Sequence, residues 1–537
     1  MKKIRLIIAF SALVCSAWAV PARKTGVVVT QPDGSQITVY QHGDEHFHWM
    51  TNDKGEWLKI DVDGFYRVTE ALSAEQIEAK RMAAPSRAAQ AATPLNIAPR
   101  GLVILVNFTD MAFETDKAEM DSMLTGKNYT RDYSYFYRGK KQSITSKGSA
   151  WQYFYDSSNG HYDPQFDVIG PVTVSKNMAY YGKNVNDFDA APWTMVKEAC
   201  QLVDDSVDFK QYDNNNDGYV DFVYVIYAGY GEADGGSANT IWPHSYWLLD
   251  AGITCKVDGK YVDLYACGNE LDYFSKQHTG IGTFCHEFSH VLGLPDLYTT
   301  EGQTHKTLGS WDILDYGPYN NDGNTPPAYS AYERFMMGWL TPRLIVDAEN
   351  VELEELQASN SALLISTTDQ HNLIGNDPKP TTFYLLENRQ QVGWDEYLPG
   401  HGLMLTKVQY DYNKWINNTV NNSSNRMGVD LIEADGKKPS SSSNGYTGKA
   451  GDLFPAGATE YLGITNHSIE DVSEQDGIIY FKYRGGIATS TEQVQTEETI
   501  VAIYNILGQK QEAVDIESLP HGTYVVVTTA GSKKIVR

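Results

Sequence analysis

The run His286-Glu287-Phe288-Ser289-His290 leaves this chain few choices of local structure. Two imidazoles four residues apart lie one helical turn apart, where both can converge on a single ion. The flanking pattern agrees with a helix over 281–293. Ile281, Phe284, Phe288, Val291 and Leu292 share one apolar stripe, roughly opposite the histidines. One face therefore seats in a core while the other borders a polar site. Glu287 is offset to one side of the pair, placed to reach a water beside the ion rather than the ion itself. Gly293 and Asp296 extend the pattern to H-E-x-x-H-x-x-G-x-x-D. Gly293 can end the helix in a left-handed conformation that a β-carbon penalises, and the returning chain lets Asp296 supply a third ligand. An oxygen ligand suits zinc, and three protein ligands leave a fourth position open. The expected chemistry is zinc-assisted hydrolysis, with Glu287 as general base passing the water's proton to the leaving amine. The bland alternative, two surface histidines on a helix, does not account for Gly293 and Asp296.

The chain's 537 residues call for several domains. Its net charge of -25 argues against nucleic acid as a partner, since phosphate binding needs a basic surface. Residues 1–19 read as an export signal: Lys2, Lys3 and Arg5, an apolar run over 6–14, and Ala17-Trp18-Ala19 as a cleavage site. Bulky Val14 before Cys15 disfavours a lipoprotein, and no stretch is long and apolar enough to span a bilayer. In an oxidising compartment Cys200, Cys255, Cys267 and Cys285 are even in number. Cys255 and Cys267 flank a hairpin-like stretch that permits a local disulfide; buried free thiols are the equal alternative.

Short β-like runs separated by Asp-Gly turns fill residues 20–80, followed by an Ala-, Pro- and Arg-rich linker over 81–100. Arg81, Arg87 and Arg100 offer cleavage sites, so 20–95 reads as a pro-region of a zymogen, or else as a permanent accessory domain. The apolar runs 101–108 and 222–228 are buried strands of an α/β or α+β catalytic domain over 96–345. Alternating runs at 383–386 and 403–408, among Gly, Asn, Asp and Pro clusters, suit an all-β sandwich over 346–485. Residues 440–443 read as a loop, 486–498 as a linker, and 499–537 as a small β module.

A second candidate metal site is Asp213-Asn214-Asn215-Asn216-Asp217-Gly218-Tyr219-Val220-Asp221. Oxygens of Asp213, Asn215 and Asp217, the Tyr219 carbonyl and Asp221 match the first half of a calcium loop, though no glutamate closes it at the twelfth position. A solvated polar turn is the alternative. His244, His278 and His401 are read as structural, and Asn417-Asn418 and Asn421-Asn422 as polar turns.

With His286, Glu287, His290, Gly293 and Asp296 in place, the chain resembles the immune inhibitor A family of secreted metallopeptidases, distant relatives of the metzincins. The similarity runs over most of 40–485. It includes Gly43-Asp44-Glu45, Ile241-Trp242-Pro243-His244-Ser245, Leu294-Pro295-Asp296-Leu297-Tyr298, Gly393-Trp394-Asp395 and Leu398-Pro399-Gly400-His401-Gly402. The resemblance implies a metzincin-like fold, a pro-region and a turn beneath the metal. Trp311-Asp312-Ile313-Leu314-Asp315-Tyr316-Gly317 looks like that turn, with Leu314 where methionine is expected. Such a swap costs under ~1.5 kcal/mol in a packed site. Tyr316 then falls where an oxyanion-stabilising tyrosine stands in some metzincins; a buried structural tyrosine is the alternative. The tail, with Ile503-Tyr504-Asn505-Ile506-Leu507-Gly508-Gln509 and a basic end, resembles the sorting domain of the type IX secretion pathway. The reading is a secreted or cell-surface zinc endopeptidase acting on proteins or peptides and handled by export machinery. Its rivals are a decayed peptidase-fold binding protein and a zinc hydrolase of non-peptide amides.

Overall fold

The computed structural model describes residues 20–44, 47–61, 63–73, 76–77, 100–185, 188–300, 305–437, 448–487, 500–512, 516, 518–528 and 531–536. The expectations for the export signal, for the linker up to residue 99, for the 440–443 loop and for the run 489–498 lie outside them. Among the described residues no helix is long and apolar enough to cross a membrane.

The run 101–108 becomes the strand Arg100–Asn107 at the heart of a five-stranded sheet. Its neighbours are Gln165–Thr173 on one side and Val223–Tyr230 on the other, all parallel. Leu264–Leu271 continues the parallel order, and His244–Trp247 closes the edge antiparallel. Side chains alternate between the two faces of a strand, and here both faces are buried. Val103, Leu105, Tyr224 and Ile226 enter one core. Leu102, Ile104, Val106, Val223 and Val225 enter the other, against Met195, Val196 and Ala199 of the helix Pro192–Val203. Burial on both sides is why these strands read as unbroken apolar runs.

The helix Gly282–Val291 lies on the first face. Phe284 packs its ring 4.5 Å from Tyr224, and Phe288 sits 5.0–5.2 Å from Phe154, Phe222 and Phe166, centroid to centroid. The apolar stripe read from the sequence is thus the face that fixes the helix, and the histidine face follows from it. Phe288→Ala is expected to cost about 3–5 kcal/mol of stability, the range for a truncated core aromatic. A loss under ~1 kcal/mol in urea unfolding contradicts this packing account.

Residues 27–68 form a five-stranded antiparallel sheet. Four of its strands, Val27–Thr30, Gln36–Asp44, Trp57–Ile60 and Tyr66–Val68, coincide with the short β-like runs of this region, and the fifth, Phe47–Thr51, has no counterpart among them. This sheet docks on the catalytic body through His48, whose ring stacks 4.8 Å from Trp242 and whose Nε2 lies 3.3 Å from Glu232.

Downstream, Arg343–Leu344, Leu363–Ser366, Thr382–Arg389, Gly402–Gln409 and Val429–Leu431 make a five-stranded sheet. A three-stranded sheet of Glu349–Leu353, Ile478–Tyr483 and Ile469–Gln475 shares a core with it. The larger sheet is also covered on its other side. Phe383, Leu385, Met404 and Val408 join the core that holds Phe288, and Phe383 meets it through Phe335 of the helix Ala331–Met336, 5.9 Å between ring centres. Residues 500–505, 523–528 and 531–536 form a separate three-stranded unit with its own small core.

The local disulfide does not form: the four cysteines among the described residues, Cys200, Cys255, Cys267 and Cys285, are free and buried. Cys255 lies on the hairpin strand Cys255–Val257 with its thiol against that of Cys200 on the helix Pro192–Val203. Cys267 lies on the central sheet with its sulfur 3.5 Å from His244 Nδ1. The two sulfurs are thus engaged with different partners.

Candidate metal centre

The histidine helix ends at Val291, and Gly293 takes φ +90°. Only glycine holds that conformation without a steric penalty. The reversal brings the Leu294 carbonyl to 2.8 Å from His290 Nδ1 and returns Asp296 toward the helix. His286 Nδ1 lies 2.7 Å from the Ile313 carbonyl. A carbonyl only accepts, so both Nδ1 atoms carry the proton and both Nε2 atoms present lone pairs. Those two Nε2 atoms are 3.1 Å apart, and Asp296 Oδ1 is 3.3 Å from each.

Three lone-pair atoms facing one another in a buried site repel unless a cation joins them. Ligand atoms around tetrahedral zinc with bonds of 2.0–2.1 Å lie about 3.3 Å apart, close to these spacings. Among the described residues, His286, His290 and Asp296 are the one group of such side chains that converges in this way.

Asn418 completes the setting. Its Nδ2 donates to Asp296 Oδ2 at 2.6 Å, and its Oδ1 accepts from Asp296 N at 2.7 Å. Asp296 Oδ1 has no hydrogen-bond partner and is left for the histidine pair. Asn421 and Asn422 hold the same segment, through the Leu297 carbonyl and Thr300 N. The chain does turn at Asn417-Asn418 and at Asn421, and the side chains of Asn418, Asn421 and Asn422 in addition brace the site from 122 to 124 residues away. Losses of such supporting bonds cost 10–100-fold in metal affinity. Asn418→Ala is expected to weaken zinc binding by a factor in that range, measured by competition with a chromogenic chelator. Unchanged affinity contradicts the assigned role.

The loop 311–317 abuts the site, since the Ile313 carbonyl anchors His286 and the Leu314 carbonyl accepts from Leu297 N at 2.8 Å. Leu314, on this loop, is fully buried. Tyr316 is also buried, and Lys24 places its ammonium 3.4 Å from the centre of that ring. Burial, helped by Lys306 and opposed by Asp315, lowers the Lys24 pKa to about 7.

Residues 20–24 run along this site as a segment outside any sheet, which local sequence patterns did not indicate. Val20 N donates to Glu287 Oε1 at 2.9 Å. Trp242 Nε1 donates to the Val20 carbonyl, Tyr319 OH to the Pro21 carbonyl, and Arg23 N to the Ala233 carbonyl. Val20 and Ala22 are each only 1% exposed.

The 213–221 loop has its turn, but its oxygens are engaged within the protein. Asp213 Oδ2 accepts from Lys260 Nζ and Gly218 N, and Asp213 Oδ1 from Asp217 N. Asn215 Oδ1 accepts from Asp217 N, Asp217 Oδ1 from Tyr219 N, and Asp221 Oδ2 from Asn214 N. A calcium ion there has to displace Lys260 from Asp213. His244 and His278 are structural as read: His244 bridges the Trp242 carbonyl and Tyr265 OH, and His278 meets Glu119.

Residues 96–340 match the family described as immune inhibitor A peptidase M6, catalytic domain. The chain is 28% identical over 307 residues to the pre-pro-metalloprotease PrtV of Vibrio cholerae serotype O1, covering 50% of this chain and 33% of that protein. It is 26% identical over 262 residues to immune inhibitor A of Bacillus thuringiensis subsp. alesti, covering 43% of this chain and 38% of that one. The matches thus take in little more than a third of either relative's length.

Proposed function

Because residues 96–340 belong to the immune inhibitor A peptidase family, we propose that this protein is an exported zinc metalloendopeptidase, made latent, in which Glu287 is the general base. The observation that carries the reading is the spacing of His286 Nε2, His290 Nε2 and Asp296 Oδ1, 3.1–3.3 Å from one another on one side of Glu287's helix.

Zinc held by those three residues supplies a Lewis acid that polarises the scissile carbonyl and makes water more acidic. Glu287 accepts the proton of the attacking water as its oxygen bonds to the carbonyl carbon. It then delivers that proton to the amine nitrogen as the C–N bond breaks. The position of Val20 supports the second half: its nitrogen, 2.9 Å from Glu287 Oε1, stands where a leaving amine belongs. Asn418 and the Ile313 and Leu294 carbonyls fix the orientation of Asp296, His286 and His290. Tyr316, on the loop that anchors His286, is the proposed donor to the oxyanion.

Latency follows from the segment 20–24, which occupies the place of a peptide. If export cleaves after Ala19, the Val20 nitrogen becomes an ammonium set directly against the Glu287 carboxylate. That a relative is named a pre-pro-metalloprotease supports both export and latency. The three-stranded unit over 500–536 is proposed as the sorting signal. The reading is tested on casein with the activated protein. A chelator should abolish hydrolysis and added zinc should restore it; hydrolysis indifferent to the chelator contradicts the proposal.

A further inference from the structure

Arg23 is 7% exposed, yet it comes from the segment lying across the candidate site rather than from the catalytic body. Its guanidinium meets three carboxylates. Nη1 donates to Asp234 Oδ1 at 2.8 Å and to Asp272 Oδ2, and Nη2 donates to Asp322 Oδ1 at 2.7 Å. The Phe274 ring lies beneath it, 4.7 Å from Cζ to the ring centre.

The carboxylates are held from behind by the catalytic body and not by Arg23. Asp234 Oδ2 accepts from Tyr273 N. Asp272 Oδ1 accepts from Phe274 N and Ser275 N, and Asp322 Oδ2 from Tyr135 OH at 2.5 Å. Asp322 sits at φ +52°, next to Asn321 at +50°, the left-handed region that Asn and Asp adopt most readily among non-glycine residues. The pocket is therefore built before Arg23 enters it. When the segment 20–24 is displaced, the buried carboxylates of Asp234 and Asp272 and the part-buried one of Asp322 remain around one vacancy, an arrangement that is costly unless a cation fills it.

We infer that the pocket of Asp234, Asp272 and Asp322 is a substrate subsite for an arginine side chain, the fourth residue after the bond that is cut. The inference rests on the peptidase reading above, and the register comes from the segment itself. Val20 N marks the new amine at Glu287, and Arg23 is the fourth residue counting from Val20. Its backbone N donates to the Ala233 carbonyl at 2.9 Å, a main-chain bond that any extended peptide can repeat. Arginine is favoured over lysine because a planar fork reaches all three carboxylates at once and stacks on Phe274, whereas an ammonium is a point charge.

The test digests a proteome-derived peptide library with zinc-loaded full-length protein carrying Arg23→Glu, which empties the pocket by repulsion. Cleavage sites are read by mass spectrometry beside a control carrying Glu287→Ala as well. Arginine should be enriched at least fivefold at the fourth position after the cut, lysine less so, and glutamate should be depleted. Adding Asp272→Asn should lower the ratio of arginine to alanine substrates while cleavage of the alanine peptides persists. That persistence separates a subsite effect from misfolding. Cleavage that depends on Glu287 but shows no preference at the fourth position overturns the subsite alone. Absence of any Glu287-dependent cleavage overturns the peptidase reading, and the subsite with it.

Discussion

Glu287→Ala is expected to lower kcat/KM on peptide substrates by about 10²–10⁴-fold, the contribution of a positioned general acid–base, while zinc remains bound. The two halves of this result belong together. Glu287 is buried on the same helical turn as both histidines, but its Oε1 faces the Val20 nitrogen instead of joining the cluster. Removing its carboxylate takes away the proton carrier and leaves His286, His290 and Asp296 in place. Glu287→Gln should behave alike, since an amide keeps the shape and cannot take the proton. Loss of zinc in either variant means that Glu287 is a ligand. Activity within a few-fold of wild type means that another group moves the proton.

The second large effect concerns latency. Arg23→Glu in the full chain is expected to raise activity on casein at least tenfold. The wild-type guanidinium offsets three carboxylates in a site almost closed to solvent. Burial and Asp272 already push the pKa of the Asp234 carboxyl up to about 8; a glutamate there sets a further carboxylate against Asp272 and Asp322, and like charges in a poorly screened pocket repel strongly. The segment 20–24 then has its main-chain bonds, Lys24 and the packing of Val20 and Ala22 on Ala233 and Trp242 to keep it over Glu287, without the ionic anchor. Burial lowers the pKa of Arg23, but Asp272, Asp234 and Asp322 more than restore it and hold it well above the ordinary value. The guanidinium therefore stays charged over the whole working pH range. Equal activity in the two proteins, with equal melting temperatures, contradicts a blocking role for this segment.

What could be read in the sequence was what is local. The histidine pair and its apolar stripe depend on spacings of three and four residues. Gly293 depends on a φ that one residue type favours, and it has that φ. The buried strands 100–107 and 223–230 announced themselves as apolar runs because both faces of their sheet are covered. The rest of the site is made of distant partners. Asn418 finds Asp296 across 122 residues, and Arg23 finds its three carboxylates across 211 to 299. Backbone carbonyls of Ile313 and Leu294 set the histidine tautomers, and a carbonyl has no sequence signature at all. The polar-turn reading of Asn418 fits its left-handed φ of +51° but misses what its side chain holds. The Asp- and Asn-rich loop at 213–221 shows the converse. Its composition suits calcium, and only the fold reveals that Lys260 reaches Asp213.

The most direct test of the central claim is a zinc titration of metal-stripped, full-length Arg23→Glu protein, followed by casein hydrolysis. The account predicts no hydrolysis without zinc, a linear rise, and a break at one zinc per chain. The curve should stay flat when His286→Ala is added. Hydrolysis in the stripped protein, or none at any zinc level in a protein that is folded, contradicts a zinc peptidase centred on His286, His290 and Asp296.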